Sequence, residues 1–115
     1  KIKGPFNTQT ISQELAIIAL EDKEYLKKVI NDNYKVKFWF EEELRKINIK
    51  THPSEGNFSF ITTSEKKAKN IGIHLMSEGI VIRQLDSYKL PNCLRVTIGT
   101  REEMEATILS LKKIL

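Results

Sequence analysis

Apolar residues recur every three or four positions over two stretches in the first half of the chain, the signature of amphipathic helices. Ile11, Leu15, Ile18 and Ala19 form the first stripe. It predicts a helix that opens at a capping box of Thr10 and Gln13 and runs to about Leu20. Asp22 is placed to cap a second helix, whose stripe is Leu26, Val29, Ile30, Asn33, Val36, Phe40, Leu44 and Ile47. The spacing never breaks, so one long helix is expected rather than two short ones. Asn48 follows the stripe, where helices often end in a left-handed residue. Phe38 and Trp39 flank the stripe and widen its apolar face. On such a helix core or interface packing is a better account of the Phe38-Trp39-Phe40 run than base stacking.

Beyond the turn-rich connector His52-Pro53-Ser54-Glu55-Gly56 the pattern changes. Residues 57–62 alternate as a strand with Phe58 and Phe60 on one face. Ser64 caps a third helix with the stripe Ala68, Ile71, Gly72, Leu75 and Met76, and Gly79 supplies its left-handed end. A strand follows over 80–83, then a loop over 84–92, then a strand over 93–98. In that last strand Leu94, Val96 and Ile98 share one face, so Arg95 and Thr97 project from the other. Thr100 and Glu103 make a second capping box before a helix carrying Met104, Ile108, Leu111 and Leu115. Gly4-Pro5-Phe6-Asn7 reads as a non-helical lead-in. The order α-α-β-α-β-β-α, over residues 1–115 as one domain, predicts a two-layer α+β fold with helices covering a small, mainly antiparallel sheet. The first two strands are expected to run parallel through a crossover, with the third antiparallel beside them.

Composition changes this picture little. The 115 residues, 40% apolar and 30% charged, suit one modest core and are short for a complete enzyme. The net charge of +4 leaves most basic side chains on helix faces, and Phe58 and Phe60 have no basic neighbour. A nucleic-acid-binding module is therefore the weaker alternative, and a plain interaction module is another. The single Cys93 excludes an intrachain disulfide, reads as buried filler and fits a reducing, cytoplasmic setting. No apolar run approaches the roughly 20 residues that cross a bilayer, so no membrane contact is expected. His52 and His74 stand alone, which argues against a metal site. A start at Lys1 rather than Met is consistent with a segment cut from a longer polypeptide.

Two arginines are the candidates for chemistry. Arg95 is offered from the polar face of a strand whose other face is apolar, a rigid mounting for bidentate contact with a carboxylate or phosphate. Arg83 closes an apolar run and either emerges into solvent or stands at a cleft. For both, a surface ion pair is the competing reading. No nucleophile elbow, phosphate loop, dinucleotide fingerprint or paired acid–base motif accompanies them, so no catalytic residue is assigned. Taken alone, the residues describe an anion-binding α+β module.

Pro5-Phe6-Asn7, Ala19-Leu20-Glu21-Asp22, Asn57-Phe58, Gly79-Ile80-Val81-Ile82-Arg83, Leu94-Arg95-Val96-Thr97-Ile98-Gly99-Thr100 and Glu102-Glu103-Met104 occur in that order. Together they resemble the C-terminal small domain of class I/II aminotransferases, and the histidinol-phosphate aminotransferases most nearly. Asn48 departs from the pattern, since relatives commonly end the long helix with Gly, but it suits the same cap. The resemblance implies a homodimeric enzyme that moves an amino group between histidinol phosphate and 2-oxoglutarate, with pyridoxal 5'-phosphate as the electron sink. It implies that Arg95 clamps the carboxylate of glutamate or 2-oxoglutarate, or the substrate phosphate in the other half-reaction. Arg83 is implied to assist at the anionic end. A threonine-phosphate decarboxylase or an aromatic aminotransferase would share such a domain. The cofactor's lysine, aspartate and phosphate-binding residues are expected in a preceding large domain, so this chain alone is expected to bind no cofactor and to catalyse nothing.

Overall fold

The helical periodicities become α1 (Thr10–Glu21), α2 (Lys23–Lys46), α3 (Glu65–Ser77) and α4 (Arg101–Lys112) in a computed structural model that describes residues 8–114. Their ends follow local chemistry. Asp22 Oδ1 accepts the Tyr25 N–H at 3.0 Å and opens α2. At its far end Asn48 takes φ 58°, and the Ile49 N–H returns to the Leu44 carbonyl at 2.9 Å. Ser64 Oγ accepts the Lys67 N–H at 3.2 Å, and Gly79, at φ 80°, closes α3 as expected. Thr100 and Glu103 satisfy each other's backbone N–H at the start of α4, at 2.7 and 3.3 Å. The box predicted for Thr10 and Gln13 does not form. Gln9 is the extended cap residue, no side chain caps the helix, and Thr10 already lies in it. The lead-in 4–7 and Leu115 fall outside the described residues.

Four strands, β1 (Lys50–His52), β2 (Phe58–Thr62), β3 (Arg83–Leu85) and β4 (Leu90–Thr97), form one sheet in the order β1-β2-β4-β3. Every neighbouring pair is antiparallel. Since β2 and β3 both oppose β4, they run parallel to each other, as expected, but β4 lies between them rather than at their side. The strand predicted over 80–83 is displaced. The Ile80 N–H closes the end of α3 on the Leu75 carbonyl at 2.8 Å, so pairing with β4 begins only at Arg83. The predicted loop over 84–92 is correspondingly shorter. Residues 84–92 hold the rest of β3, a 3-10 turn (Asp86–Tyr88), Lys89 at φ 60° and the start of β4, which begins at Leu90, ahead of the expected residue 93. β1 falls between the predicted helix end at Asn48 and the connector from His52, and was not expected, because a three-residue edge strand has no periodicity to read.

Two compact units divide between Asn31 and Asp32. In the second, the part of α2 from Asp32 onward, α3 and α4 cover one face of the sheet, and Phe40, Leu44, Ile61, Leu94 and Leu111 are buried to within 2% of full burial. Each such side chain contributes about 1.5–3 kcal/mol by leaving water. Ser59 is buried among them, and its hydroxyl donates to Glu41 Oε1 at 2.8 Å, which offsets the cost of burying it. Met76, expected in the α3 stripe, is exposed, because the core-facing positions are Ala68, Ile71, Gly72 and Leu75, and Met76 turns about 100° past the last of these. In the first unit the stripe residues Ile11, Leu15, Ile18, Leu26, Val29 and Ile30 are exposed.

Candidate anion-binding site

Strand alternation sends one set of side chains into the core and the other onto the opposite face of the sheet. Cross-strand register then orders that open face. His52 of β1 is the Cα partner of Phe60 in β2, Phe60 of Arg95 in β4, and Arg95 of Arg83 in β3. One row of four residues therefore crosses the whole sheet, and its last two members are the arginines singled out in the sequence. Arg95 projects away from the buried Leu94 and Val96, as the alternation predicts. Arg83 differs from expectation, since it opens a strand rather than closing one.

The two guanidinium groups are held differently. Arg95 is half-buried, and its Nε is buried without a hydrogen-bond partner. Its guanidinium carbon lies 5.6 Å from the centre of the Phe58 ring. Arg83 is exposed, donates through Nη2 to Tyr88 Oη at 3.0 Å, and lies 5.3 Å from the centre of that ring. No ion pair among the described residues involves either arginine. Like charges on directly opposed strand positions repel. A buried donor without a partner costs further free energy. An anion bound between the arginines would relieve both, and a planar carboxylate or a phosphate matches the guanidinium fork.

Beside this row, His52 Nε2 lies 2.8 Å from Thr62 Oγ1, and the His52 ring meets Phe60 edge-on at 5.6 Å. Thr62 Oγ1 lies 3.7 Å from Cys93 Sγ, and Cys93 is a free, buried thiol. The contacts of His52 and Tyr88 were not legible in the sequence, since both residues lie in segments that read as loops. The alternation of Phe58 and Phe60 was visible, but not that these rings line the arginine face. Among the described residues no three His, Cys, Asp or Glu side chains gather as a metal site. No helix of the described residues is long and apolar enough to cross a membrane. A separate hollow of about 360 Å³ on the helical layer is lined by Ser64, Lys66, Lys67, Asn70 and His74. Its histidine is already engaged, with Nε2 3.2 Å from the Ser110 carbonyl.

The family model for aminotransferase class I and II matches residues 1–111. This chain belongs to the class I and II aminotransferase family. It is 42% identical over 118 residues to a histidinol-phosphate aminotransferase of Clostridium botulinum strain Okra, an alignment covering all of this chain and 33% of that protein. A histidinol-phosphate aminotransferase of Akkermansia muciniphila is 31% identical over 115 residues, again across the whole chain and 31% of the relative. The chain thus spans about a third of the curated relatives it matches. Among solved structures, histidinol-phosphate aminotransferase from Sinorhizobium meliloti, in complex with pyridoxal-5'-phosphate, superposes with a TM-score of 0.85 at 27% identity, over 97% of this chain and 31% of that one. A decarboxylase from Sulfurospirillum multivorans superposes with a TM-score of 0.74 at 28% identity, over 96% of this chain and 33% of that one. The α+β architecture is accordingly that of aminotransferase structures. Pyridoxal phosphate needs a lysine amine free to bond its aldehyde carbon. Lys37, the buried lysine among the described residues, commits its Nζ to the carbonyls of Ser54 and Gly56. The buried lysine of the described residues is thus not free for that bond.

Proposed function

We propose that this chain is the small domain of a pyridoxal-phosphate-dependent aminotransferase that exchanges an amino group between histidinol phosphate and 2-oxoglutarate. In this reading the cofactor is held by other parts of a homodimeric, cytoplasmic enzyme. The chain contributes one wall of the substrate pocket. Arg95 takes the carboxylate common to glutamate and 2-oxoglutarate, or the substrate phosphate in the other half-reaction, and Arg83 assists at the anionic end. One observation carries the assignment of the wall: Arg83 and Arg95 are direct cross-strand partners on the open face and have no carboxylate partner among the described residues. The identity of the substrate is supported by the similarity to histidinol-phosphate aminotransferases along the full chain.

The test is made in the full-length protein. Arg95→Ala removes both arms of a charged fork, each hydrogen bond to a charged group being worth about 1.5–3 kcal/mol, so kcat/KM for 2-oxoglutarate should fall about a hundredfold or more. Arg95→Lys keeps the charge but not the fork and should fall between. Unchanged kinetics in Arg95→Ala would remove the clamp from the proposal. A second reading, decarboxylation of a phosphorylated amino acid, has the similarity to the Sulfurospirillum multivorans decarboxylase in its favour. Glutamate formed from 2-oxoglutarate and histidinol phosphate supports transamination, whereas carbon dioxide released from threonine phosphate without an acceptor supports the other.

A further inference from the structure

Arg95 is unusual in what does not hold it. Its side chain makes no hydrogen bond to a described residue, and its Nε is buried with no partner. A long, flexible side chain in that state needs another restraint to present its fork in one orientation. The described contact that supplies one is the Phe58 ring, 5.6 Å from the guanidinium carbon. Phe58 is the Cα partner of Thr97, two positions along β4, so Arg95 leans along its own strand onto a diagonal neighbour.

The ring in turn lies close against the backbone at Gly56. A Cβ built on Gly56 would stand 2.7 Å from Phe58 Cε1, closer than Cβ atoms approach, and 3.0 Å from Cδ1, so the ring would have to give way. Gly56 therefore lets the backbone approach the ring closely. The Gly56 carbonyl in turn accepts from the buried Lys37 Nζ at 3.4 Å, and Ser54 accepts from the same nitrogen. A chain of contacts runs from α2 through Lys37, Gly56 and Phe58 to Arg95. Arg83 has a different arrangement, a hydrogen bond and a ring from a single residue, Tyr88, on an exposed turn.

We infer that Phe58, backed by Gly56, is a positioning residue for Arg95: its ring holds the guanidinium fork in the orientation that receives the carboxylate. The inference rests on the proposed clamp and adds to it the residue that aims it. Cation–π contact favours the face of an aromatic ring and is lost with an aliphatic side chain of similar bulk.

The full-length protein again provides the test, with 2-oxoglutarate as the probe. Phe58→Leu should raise KM for 2-oxoglutarate about fivefold to thirtyfold, and Phe58→Tyr, which keeps a ring face, should restore it. Gly56→Ala, which displaces the ring without altering it, should raise KM in the same direction. In an Arg95→Ala background Phe58→Leu should add nothing, because the group it aims is gone. Thermal unfolding of each variant separates positioning from folding. A full additive loss in the Arg95→Ala background, or a KM rise that Phe58→Tyr does not restore, would make Phe58 structural and overturn the inference. So would a KM unchanged in Phe58→Leu alongside a large effect of Arg95→Ala, and that pattern would leave the clamp intact. If Arg95→Ala is itself silent, the clamp fails first and the inference with it.

Discussion

Gly79 and Asn48 end α3 and α2 in the same left-handed conformation, at φ 80° and 58°, one without a side chain and one with a short polar one. Around Gly79 nothing lies within 4 Å of where a Cβ would stand, so substitution there meets backbone strain alone. Gly79→Ala should lower unfolding free energy by about 1 kcal/mol, read as a lower denaturation midpoint at unchanged slope. Both positions were legible because the physics is local: a helical stripe stops and the next residue tolerates positive φ. Arg95 was legible for the same kind of reason, since Leu94, Val96 and Ile98 fix the apolar face and leave no choice for the residue between. Arg83 was only half legible. Residues 80–82 are all apolar, so alternation could not say which way the next side chain turns, and its register depends on hydrogen bonding to a distant strand. The stacking of Phe58 under Arg95 was not legible, because it joins residues from different strands through a diagonal contact.

Elements with a long period or a strong cap were readable, and the short ones were not. α2 was predicted as one helix from its unbroken stripe, and α4 from the reciprocal bonds of Thr100 and Glu103. Thr100→Ala removes the hydroxyl that accepts the Glu103 N–H, and should cost about 0.5–2 kcal/mol in chemical denaturation, with Thr100→Ser recovering most of it. The loss should appear in global unfolding rather than as local fraying, since α4 buries Met104, Ile108 and Leu111 in the core. β1 and β3, at three residues each, carry too few positions to show alternation, and only pairing defines them. The turn before β4 was obscured further because Lys89, not glycine, takes the left-handed conformation there.

Across the whole chain a net charge of +4 is distributed so that several carboxylates sit beside lysines. The hydrogen bond from Lys46, at 2.5 Å, holds the Glu43 carboxyl below its ordinary value of 4.5, and that from Lys113, at 2.8 Å, does the same for Glu78. A carboxyl depressed by folding stabilises above its unfolded pKa and loses that contribution as pH falls through its folded value. Thermal unfolding followed from pH 7 downward should therefore show a midpoint that declines below about pH 4.5. Lys113→Ala should make the decline shallower, by a small amount because the pair is exposed to solvent. The open face shows the opposite balance, with Arg83 and Arg95 paired across strands. Position matters for Arg83 in another respect. Both edges of the sheet are three-residue strands, β1 carrying Lys50 and β3 carrying Arg83, and β3 slips register after Gln84. A long, flat edge invites a neighbouring chain to add a strand and begin an aggregate, whereas a brief, charged and irregular one gives it little to pair with. Arg83 thus guards the sheet against growth, and a neutral residue in its place would leave that border easier to extend.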